Sequence, residues 1–455
     1  MMPRTLASAA REVQGRLIGA DQTFGLVTTD TRSLTPGALF VAIAGDRFDG
    51  NDFIADAQAK GAAGALVSRV AASPLPQIEV RDTRRAFGTL ARAWRANFPI
   101  PVVAVTGSSG KTTVKELIAA ILGVSRAICV TQGNLNNDIG VPLTLMRLST
   151  EHDALVAELG ANHAGEIDYL ASLVQPTVAV ITNAAAAHLE GFGSLEGVAA
   201  AKGELFDHLP RAGTAVINAD DRFRAEWLAR APCEFKVTFG FAPQADCRVI
   251  GEPTFGASGS EFTMRLPDGE EIEVWLPLLG RQNVANALAA AAAAQAVGVS
   301  AEDIVAGLAR VVPVRGRLRA VAGKGGATLI DDSYNANPGS VRAALDHLAA
   351  LDGRRILVLG NMAELGPTAR ELHREIGEYA RGRCDELFAI GDLATEAVAA
   401  FGSSARSLAD IDAARVALVP QLANGVTVLV KGSRVMGLDR LVKALEAESQ
   451  ERAAC

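Results

Sequence analysis

Short runs of β-branched residues alternate along the chain with longer Ala-, Leu- and Arg-rich stretches at helical spacing, the pattern of parallel sheets covered by helices. The fold class predicted is α/β throughout. Early in the chain the run GALFVAIAGDRFDGNDF precedes a helical stretch, IADAQAKGAAG, and a strand, GALVSRV, with no nucleotide motif among them. The FPIP segment, Phe98 to Pro101, interrupts a helical pattern just before the apolar strand VVAVT, because proline ends helices and biases the preceding residue towards extended backbone. Strands are then predicted at Val102 to Thr106, Ala127 to Thr131, Ala154 to Glu158, Val178 to Thr182 and Ala215 to Asn218, with helices between them. A second break falls at Val311 to Gly316. Beyond it, ATLIDDS, RRILVLG, DELFAIG and VTVLVKG alternate with helices starting near Ser340 and Thr368 and with the stretch VMGLDRLVKALEA. The expected domains are residues 1–98, 99–312 and 313–455.

The length of 455 residues suits that division, at roughly 150 per domain. With 44 Lys plus Arg against 51 Asp plus Glu, the net charge is −7, which gives no global attraction for nucleic acid or anionic lipid. Neither is expected as a partner. The five cysteines, Cys129, Cys233, Cys247, Cys384 and Cys455, form no CxxC pair and have no histidine at zinc-finger spacing, so they read as reduced thiols. The N-terminal stretch lacks the apolar core of a signal peptide, and the most apolar internal run, Ala287 to Ala294, is far shorter than the roughly 18 residues of a membrane span. A cytoplasmic, monomeric protein is expected.

The strongest local signal is VVAVTGSSGKTT, Val102 to Thr113: a strand, a Gly and Ser loop, then a lysine and two hydroxyl residues opening a helix. Glycines let backbone N–H groups approach phosphates, the helix N-terminus adds a favourable dipole, Lys111 reaches the terminal phosphates, and Thr112 offers its hydroxyl to Mg²⁺. The loop from Thr106 through Gly107, Ser108, Ser109 and Gly110 to Lys111, Thr112 and Thr113 is a variant P-loop, since Val105 stands where GxxxxGK[ST] has glycine. ATP with Mg²⁺ is the expected ligand. In a parallel sheet, ligands collect beyond the carboxyl ends of the strands, where Glu158, His188 and Lys202 also fall. Glu158 beside Thr112 makes a coherent Mg²⁺ site, and His188 is a candidate for a second metal. An amine is a poor Mg²⁺ ligand, so Lys202 matters there as a carbamate, an anionic oxygen donor.

These segments, with GNLNNDIGVPLTL (133–145), ELGANHAGEI (158–167), NAAAAHLEGFGS (183–194), AKGELF (201–206), GRQNVANALAA (280–290) and GRL (316–318), resemble the Mur ligases. Those are ATP-dependent enzymes that join amino acids or peptides to the UDP-sugar precursor of peptidoglycan. DDSYNANPGS (331–340) and LGNMAELG (359–366) are most like the members that add D-alanyl-D-alanine to UDP-MurNAc-tripeptide, and residues 30–53 are like their UDP-binding N-terminal domain. The DNPR element of the members that add the third peptide residue is absent.

The resemblance implies three domains: a UDP-substrate domain, a central ATP-binding domain and a C-terminal Rossmann-like domain. It implies that Lys111 and Thr112 bind phosphates and Mg²⁺, that Glu158 is a ligand, and that His188 and carbamylated Lys202 serve a second Mg²⁺. Asn283 and Asn286 would face adenine, while Arg317 and Asp332 would reach the terminal phosphate and the ribose after domain closure. Asp30, Thr31 and Arg32, with Gly45, Asp46 and Arg47, would hold the UDP end. Asn136, Asn137 and Asp138 would meet the muramoyl substrate, and Asn335, Asn337 and Pro338 the dipeptide. One departure is Gln282, where the family has histidine; its amide still hydrogen-bonds. Catalysis would rest on positioning and charge neutralisation by Lys111, Arg317 and Mg²⁺, through an acyl phosphate. On the residues alone a P-loop ATPase or small-molecule kinase, a non-catalytic nucleotide sensor and a sibling ligase stay open.

Overall fold

Short apolar runs become the strands of three large sheets in a computed structural model, which describes residues 4–45, 48–186, 189–256 and 258–447. The first sheet has five strands in the order Arg16–Ile18, Gln77–Glu79, Gly64–Val67, Leu39–Val41 and Val27–Thr28, parallel except for the first pair. The helix expected across IADAQAKGAAG stops at Ala59, and Gly61 then turns the chain with φ +76°. A longer helix, Thr83–Arg95, leads out of this sheet with Asp82 as its N-cap. Its Phe87, Leu90, Ala91 and Trp94 are buried, and Trp94 Nε1 donates to the Leu148 carbonyl at 3.1 Å, tying the first sheet to the second.

In the nine-stranded second sheet, Val102–Thr106 lies between Ala154–Glu158 and Val178–Ile181. All three run parallel and are buried on both faces, hence their near-continuous apolar sequences. Their register sets Glu158 opposite Val105 and Ile181 opposite Thr106, so the strands end level and the polar residues after them share one edge. The sequence pattern accounted for five strands here; the structure adds Phe235–Gly240, Cys247–Phe255, Ser260–Arg265 and Glu271–Leu276. The last three form an antiparallel extension, so the sheet is mixed. In Glu271–Leu276 the residues Ile272, Val274 and Leu276 are buried while Glu271, Glu273 and Trp275 are exposed, the two-residue period of a half-buried strand.

The helices Lys111–Leu122 and Arg281–Ala296 pack together over this sheet. Ala287 to Ala294 are at most 1% exposed, since a helix that is apolar on every side is stable only when surrounded. The third sheet has six strands, Arg319–Ala322, Thr328–Asp332, Val426–Lys431, Arg354–Gly360, Glu386–Ile390 and Ala405–Leu408, parallel except for the first pair. Asp332 and Lys431 are register partners at the ends of adjacent strands. The next helix begins at Pro338, ahead of Ser340, with proline in its first turn and Asn337 as N-cap. Among the described residues no helix is long and apolar enough to cross a membrane.

Candidate active site

The P-loop is shaped by two glycines that nothing else can replace. Gly107 has φ +149°, and a Cβ there would lie 1.8 Å from Thr182 Oγ1; Gly110 has φ +83°, and its Cβ would lie 2.5 Å from Asn286 Oδ1. Asn183 clamps the loop from outside: its carbonyl accepts from Ser108 N–H at 2.9 Å and its Oδ1 from Ser109 N–H at 3.0 Å. Thr182 Oγ1 donates to the Ser109 carbonyl at 2.6 Å, and Thr106 Oγ1 to that of Leu159 at 2.9 Å. Lys111 Nζ curls back to donate to the carbonyls of Gly107 at 2.6 Å and Ser108 at 3.3 Å. Burial lowers the Lys111 pKa; Glu158 opposes that shift and Arg317 adds to it.

Next to the loop, Thr112 Oγ1 donates to Glu158 Oε2 at 2.8 Å, and Asn136 Nδ2 donates to Oε1 at 2.7 Å. Glu158 is 2% exposed, and its N–H donates to Thr131 Oγ1 at 3.0 Å. One helical turn beyond Lys111, the buried Lys115 donates to the Thr131 carbonyl at 2.9 Å, fixing the segment on which Glu158 hangs. Hydroxyl and carboxylate oxygens meeting in this way suit Mg²⁺, which takes one or two carboxylates and completes its shell with water and substrate phosphates. Among the described residues no three His, Cys, Asp or Glu side chains cluster as a self-sufficient metal site.

Lys202, on the helix Leu195–Gly203, is 2% exposed, with Nζ 5.6 Å from the centre of the Phe192 ring. Burial drives its pKa well below the ordinary lysine value; the Lys111 charge adds to this and Glu204 opposes it. The neutral amine, the form that combines with carbon dioxide, is thereby favoured. His188, Asp46 and Arg47 lie outside the described residues.

The third sheet reaches the loop directly. Arg317 Nη2 donates to Thr112 Oγ1 at 2.8 Å, its guanidinium 4.4 Å from the Tyr334 ring centre, and Asn337 Nδ2 donates to Ser109 Oγ at 3.0 Å. Asn337 also caps its own helix, with Oδ1 accepting from Ser340 N–H at 2.8 Å. Asp332 accepts from Leu318 N–H at 3.1 Å and forms an ion pair with Lys431 at 2.6 Å, while Lys431 also donates to the Asn335 carbonyl at 2.9 Å. Burial raises the Asp332 pKa, and Lys431 is the chief opposing influence. Leu318 adopts a left-handed φ of +52°, strained for a branched residue, in presenting that N–H.

On the alanine-rich helix, Asn286 Nδ2 donates to Asn283 Oδ1 at 3.0 Å, and Asn283 Nδ2 to the Leu279 carbonyl at 2.8 Å. Gln282 folds over Gly280, where a Cβ would come within 2.7 Å of its Oε1. A cavity of about 1050 Å³ brings together the loop from Ser108 to Thr113, Asn136 to Asp138, Glu158, Asn283, Asn286, Arg317, Asp332, Asn335 and Asn337. Arg84, Arg85, Tyr169, Asn183, Tyr334 and Lys431 line it too, and the sequence reading gave them no role. The signal for Asn183 and Lys431 is similar: Asn183 lies two residues past the apolar strand Val178–Ile181, and Lys431 is the last residue of the apolar strand Val426–Lys431. Pro338 follows Asn337 at the helix start, and Thr106, Gly107 and Lys202 are buried residues that do not line the cavity.

None of the N-terminal candidates that the structure describes lines this cavity, although the Ala44 carbonyl, next to Gly45, accepts from Arg84 Nη2 at 3.5 Å. Asp30 holds the Arg32 guanidinium at 2.7 Å and its N–H at 2.8 Å, which brings the carboxyl below its usual range. Lys60 Nζ donates to the Thr31 carbonyl at 2.7 Å, and Gly45 N–H to that of Phe48 at 2.9 Å.

Three family models match the chain: Mur ligase family, catalytic domain, over residues 23–95; Mur ligase middle domain over 105–294; and Mur ligase, glutamate ligase domain, over 316–434. A protein of Escherichia coli named UDP-N-acetylmuramoyl-tripeptide–D-alanyl-D-alanine ligase is 46% identical over 460 aligned positions, covering 100% of both chains. The chain belongs to the Mur ligase family. As a Mur ligase it is an ATP-dependent, ADP-forming amide-bond ligase. This Mur ligase also superposes on a solved UDP-N-acetylmuramoylalanyl-D-glutamyl-2,6-diaminopimelate–D-alanyl-D-alanyl ligase of Acinetobacter baumannii, with a TM-score of 0.87, 36% identity and coverage of 97% and 98% of the two chains. The MurF ligase of Thermotoga maritima, solved in complex with ADP, matches with a TM-score of 0.84 at 27% identity, covering 94% and 98%.

Proposed function

We propose that this Mur ligase joins D-alanyl-D-alanine to UDP-N-acetylmuramoyl-tripeptide, a cytoplasmic step of peptidoglycan synthesis, acting as a single chain. The observation that carries the reading is the convergence of the P-loop, Arg317 and Asn337 on one cavity, in a chain aligned end to end with a relative named for that reaction. The tripeptide's terminal carboxylate attacks the γ-phosphorus of ATP. An acyl phosphate forms as the β,γ-bridging P–O bond breaks and ADP leaves. The dipeptide amine then adds to the acyl carbon, loses a proton and expels inorganic phosphate.

No side-chain nucleophile is needed. Lys111 neutralises charge on the γ-phosphoryl group, Arg317 approaches it from the third sheet, and the loop's N–H groups orient it. Thr112 and Glu158 fit Mg²⁺, which when bound would neutralise phosphate charge. His188 and carbamylated Lys202 are assigned to a second ion. Asn283 and Asn286 receive the adenine and Asp332 the ribose. Asp30, Thr31, Arg32, Gly45, Asp46 and Arg47 take the UDP end. Asn136, Asn137 and Asp138 take the muramoyl peptide, and Asn335, Asn337 and Pro338 the dipeptide.

The test is phosphate release from Mg-ATP with UDP-MurNAc-tripeptide, in the presence of D-Ala-D-Ala, single amino acids or no amine, with product mass read in parallel. Release and a mass gain of one dipeptide, confined to D-Ala-D-Ala, is the expected result. Release without amine and without a ligated product identifies an ATPase instead.

A further inference from the structure

Arg84 and Arg85 stand in the first turn of the helix Thr83–Arg95, a turn with no acidic residue of its own. Cations there face the positive end of the helix dipole, so helix stability does not explain them. Arg84 is accounted for by its ion pair with Asp138 at 3.0 Å. Arg85 is not: its backbone N–H is taken by Asp82 at 3.0 Å, but among the described residues no carboxylate pairs with its guanidinium. That guanidinium lies 4.1 Å from the centre of the Tyr169 ring, and both residues line the cavity. Tyr169 is admitted by Gly88, where a Cβ would fall 2.1 Å from its hydroxyl oxygen. A guanidinium held over an aromatic ring is restricted in position and can still offer two N–H groups to a carboxylate through parallel hydrogen bonds.

We infer that Arg85 binds a non-reacting carboxylate of the acceptor peptide. The inference rests on the proposed function and adds to it the recognition of the peptide. This wall is linked to the phosphate site through Arg84 and Asp138, then Asn136 and Glu158; Asn136 and Asp138 are at most about 7 Å apart along the chain. The acceptor must present its reacting carboxylate at the loop, so carboxylates a few bonds behind it fall within the same cavity. In the peptide for which the Acinetobacter relative is named, glutamyl and diaminopimelate each carry two carboxyls. One of each is used in amide bonds, and two anions remain.

The test is steady-state ligation at saturating ATP and D-Ala-D-Ala by the parent chain, Arg85→Ala and Arg85→Lys. The acceptors are UDP-MurNAc-peptides ending in diaminopimelate, in its amide with the spare carboxylate capped, and in lysine. The expected result is that Arg85→Ala raises KM for the diaminopimelate acceptor about 10- to 100-fold, the size of a charge-assisted hydrogen bond. The KM for ATP stays unchanged, and Arg85→Lys recovers part of the loss. A loss that vanishes with the capped and lysine acceptors identifies the diaminopimelate carboxylate, and an equal loss on all three identifies the glutamyl one. An acceptor KM within about twofold of the parent on every acceptor overturns the inference, as does an equal rise in the KM for ATP. No ligation by the parent chain with any acceptor overturns the proposed function itself.

Discussion

Replacing Lys431 with methionine tests the buried ion pair at the end of the third sheet. Methionine preserves much of the unbranched stem and removes the ammonium group. Asp332, with its side chain 14% exposed, then loses a partner at 2.6 Å and retains the Leu318 N–H at 3.1 Å. Deleting one member of a buried pair costs about 3–5 kcal/mol, because the other charge is left uncompensated. At about 2–4 °C per kcal/mol for a unit of 150–250 residues, the transition that melts this sheet falls by about 6–20 °C. The pH dependence has a definite sign. Burial holds the folded-state pKa of Asp332 above its ordinary 3.8, so its contribution to stability is present in acid and lost as pH rises through the folded value. Without Lys431 the pKa rises further, so the gap between parent and variant is small near pH 4 and widens towards neutrality. The double variant Lys431→Met with Asp332→Asn leaves no buried charge and regains most of the loss. Differential scanning calorimetry across pH 4–8 reads all three proteins. Melting within about 2 °C of the parent at pH 7, or a gap that narrows as pH rises, refutes the reasoning.

Lys111→Ala abolishes turnover, a fall of roughly 10³-fold or more, while far-UV circular dichroism is unchanged; parent-like turnover would remove its assigned role. Lys202→Ala is impaired and partly rescued by added short-chain carboxylic acids, and full activity of the unrescued variant counts against a carbamate. Gly107→Ala forces a side chain onto Thr182 from a left-handed backbone, so nucleotide binding measured by calorimetry is lost; an unchanged ATP affinity would contradict the loop geometry. Burial pushes the Cys129 thiol up to about 11 and that of Cys384 to about 12, so at pH 8 neither reacts with an aromatic disulfide reagent until the chain unfolds; fast labelling of either residue in the native protein, located by peptide mass mapping, would show the burial to be wrong.

The central part of the site was legible because its strands are buried on both faces. VVAVT and ALVAE read as continuous apolar runs that break at a polar residue, and that break is the sheet edge at which Thr106, the loop and Glu158 stand. The strands from Cys247 to Leu276 were not legible by that criterion: Cys247–Phe255 is buried only at its first residue, and in Ser260–Arg265 and Glu271–Leu276 the alternation of Glu, Thr and Arg with Phe, Met, Ile and Val breaks any continuous apolar run. Arg85 was hidden for another reason: the helix TRRAFGTLARAWR buries one apolar face, its Arg84, Arg85 and Arg92 read as the solvated face, and nothing local separates an arginine over Tyr169 from one in water. The contacts of Arg317 with Thr112 and of Asn337 with Ser109 join residues far apart in the chain, which periodicity cannot register. Motif resemblance singled out both residues, and their partners came from the fold.

The parallel register of Val102–Thr106 with Ala154–Glu158 makes strand length a measuring device. Glu158 faces Thr112 because four apolar residues, Ala154 to Ala157, count off the distance before it, with Glu158 opposite Val105. Side chains alternate faces along a strand, so a slip of a single residue would turn the carboxylate to the opposite face of the sheet. Substitutions among those four can be absorbed by repacking, whereas one inserted or deleted residue cannot. The spacing of the site is thus stored as a number of residues, in a stretch of chain that carries no reactive group before its last position.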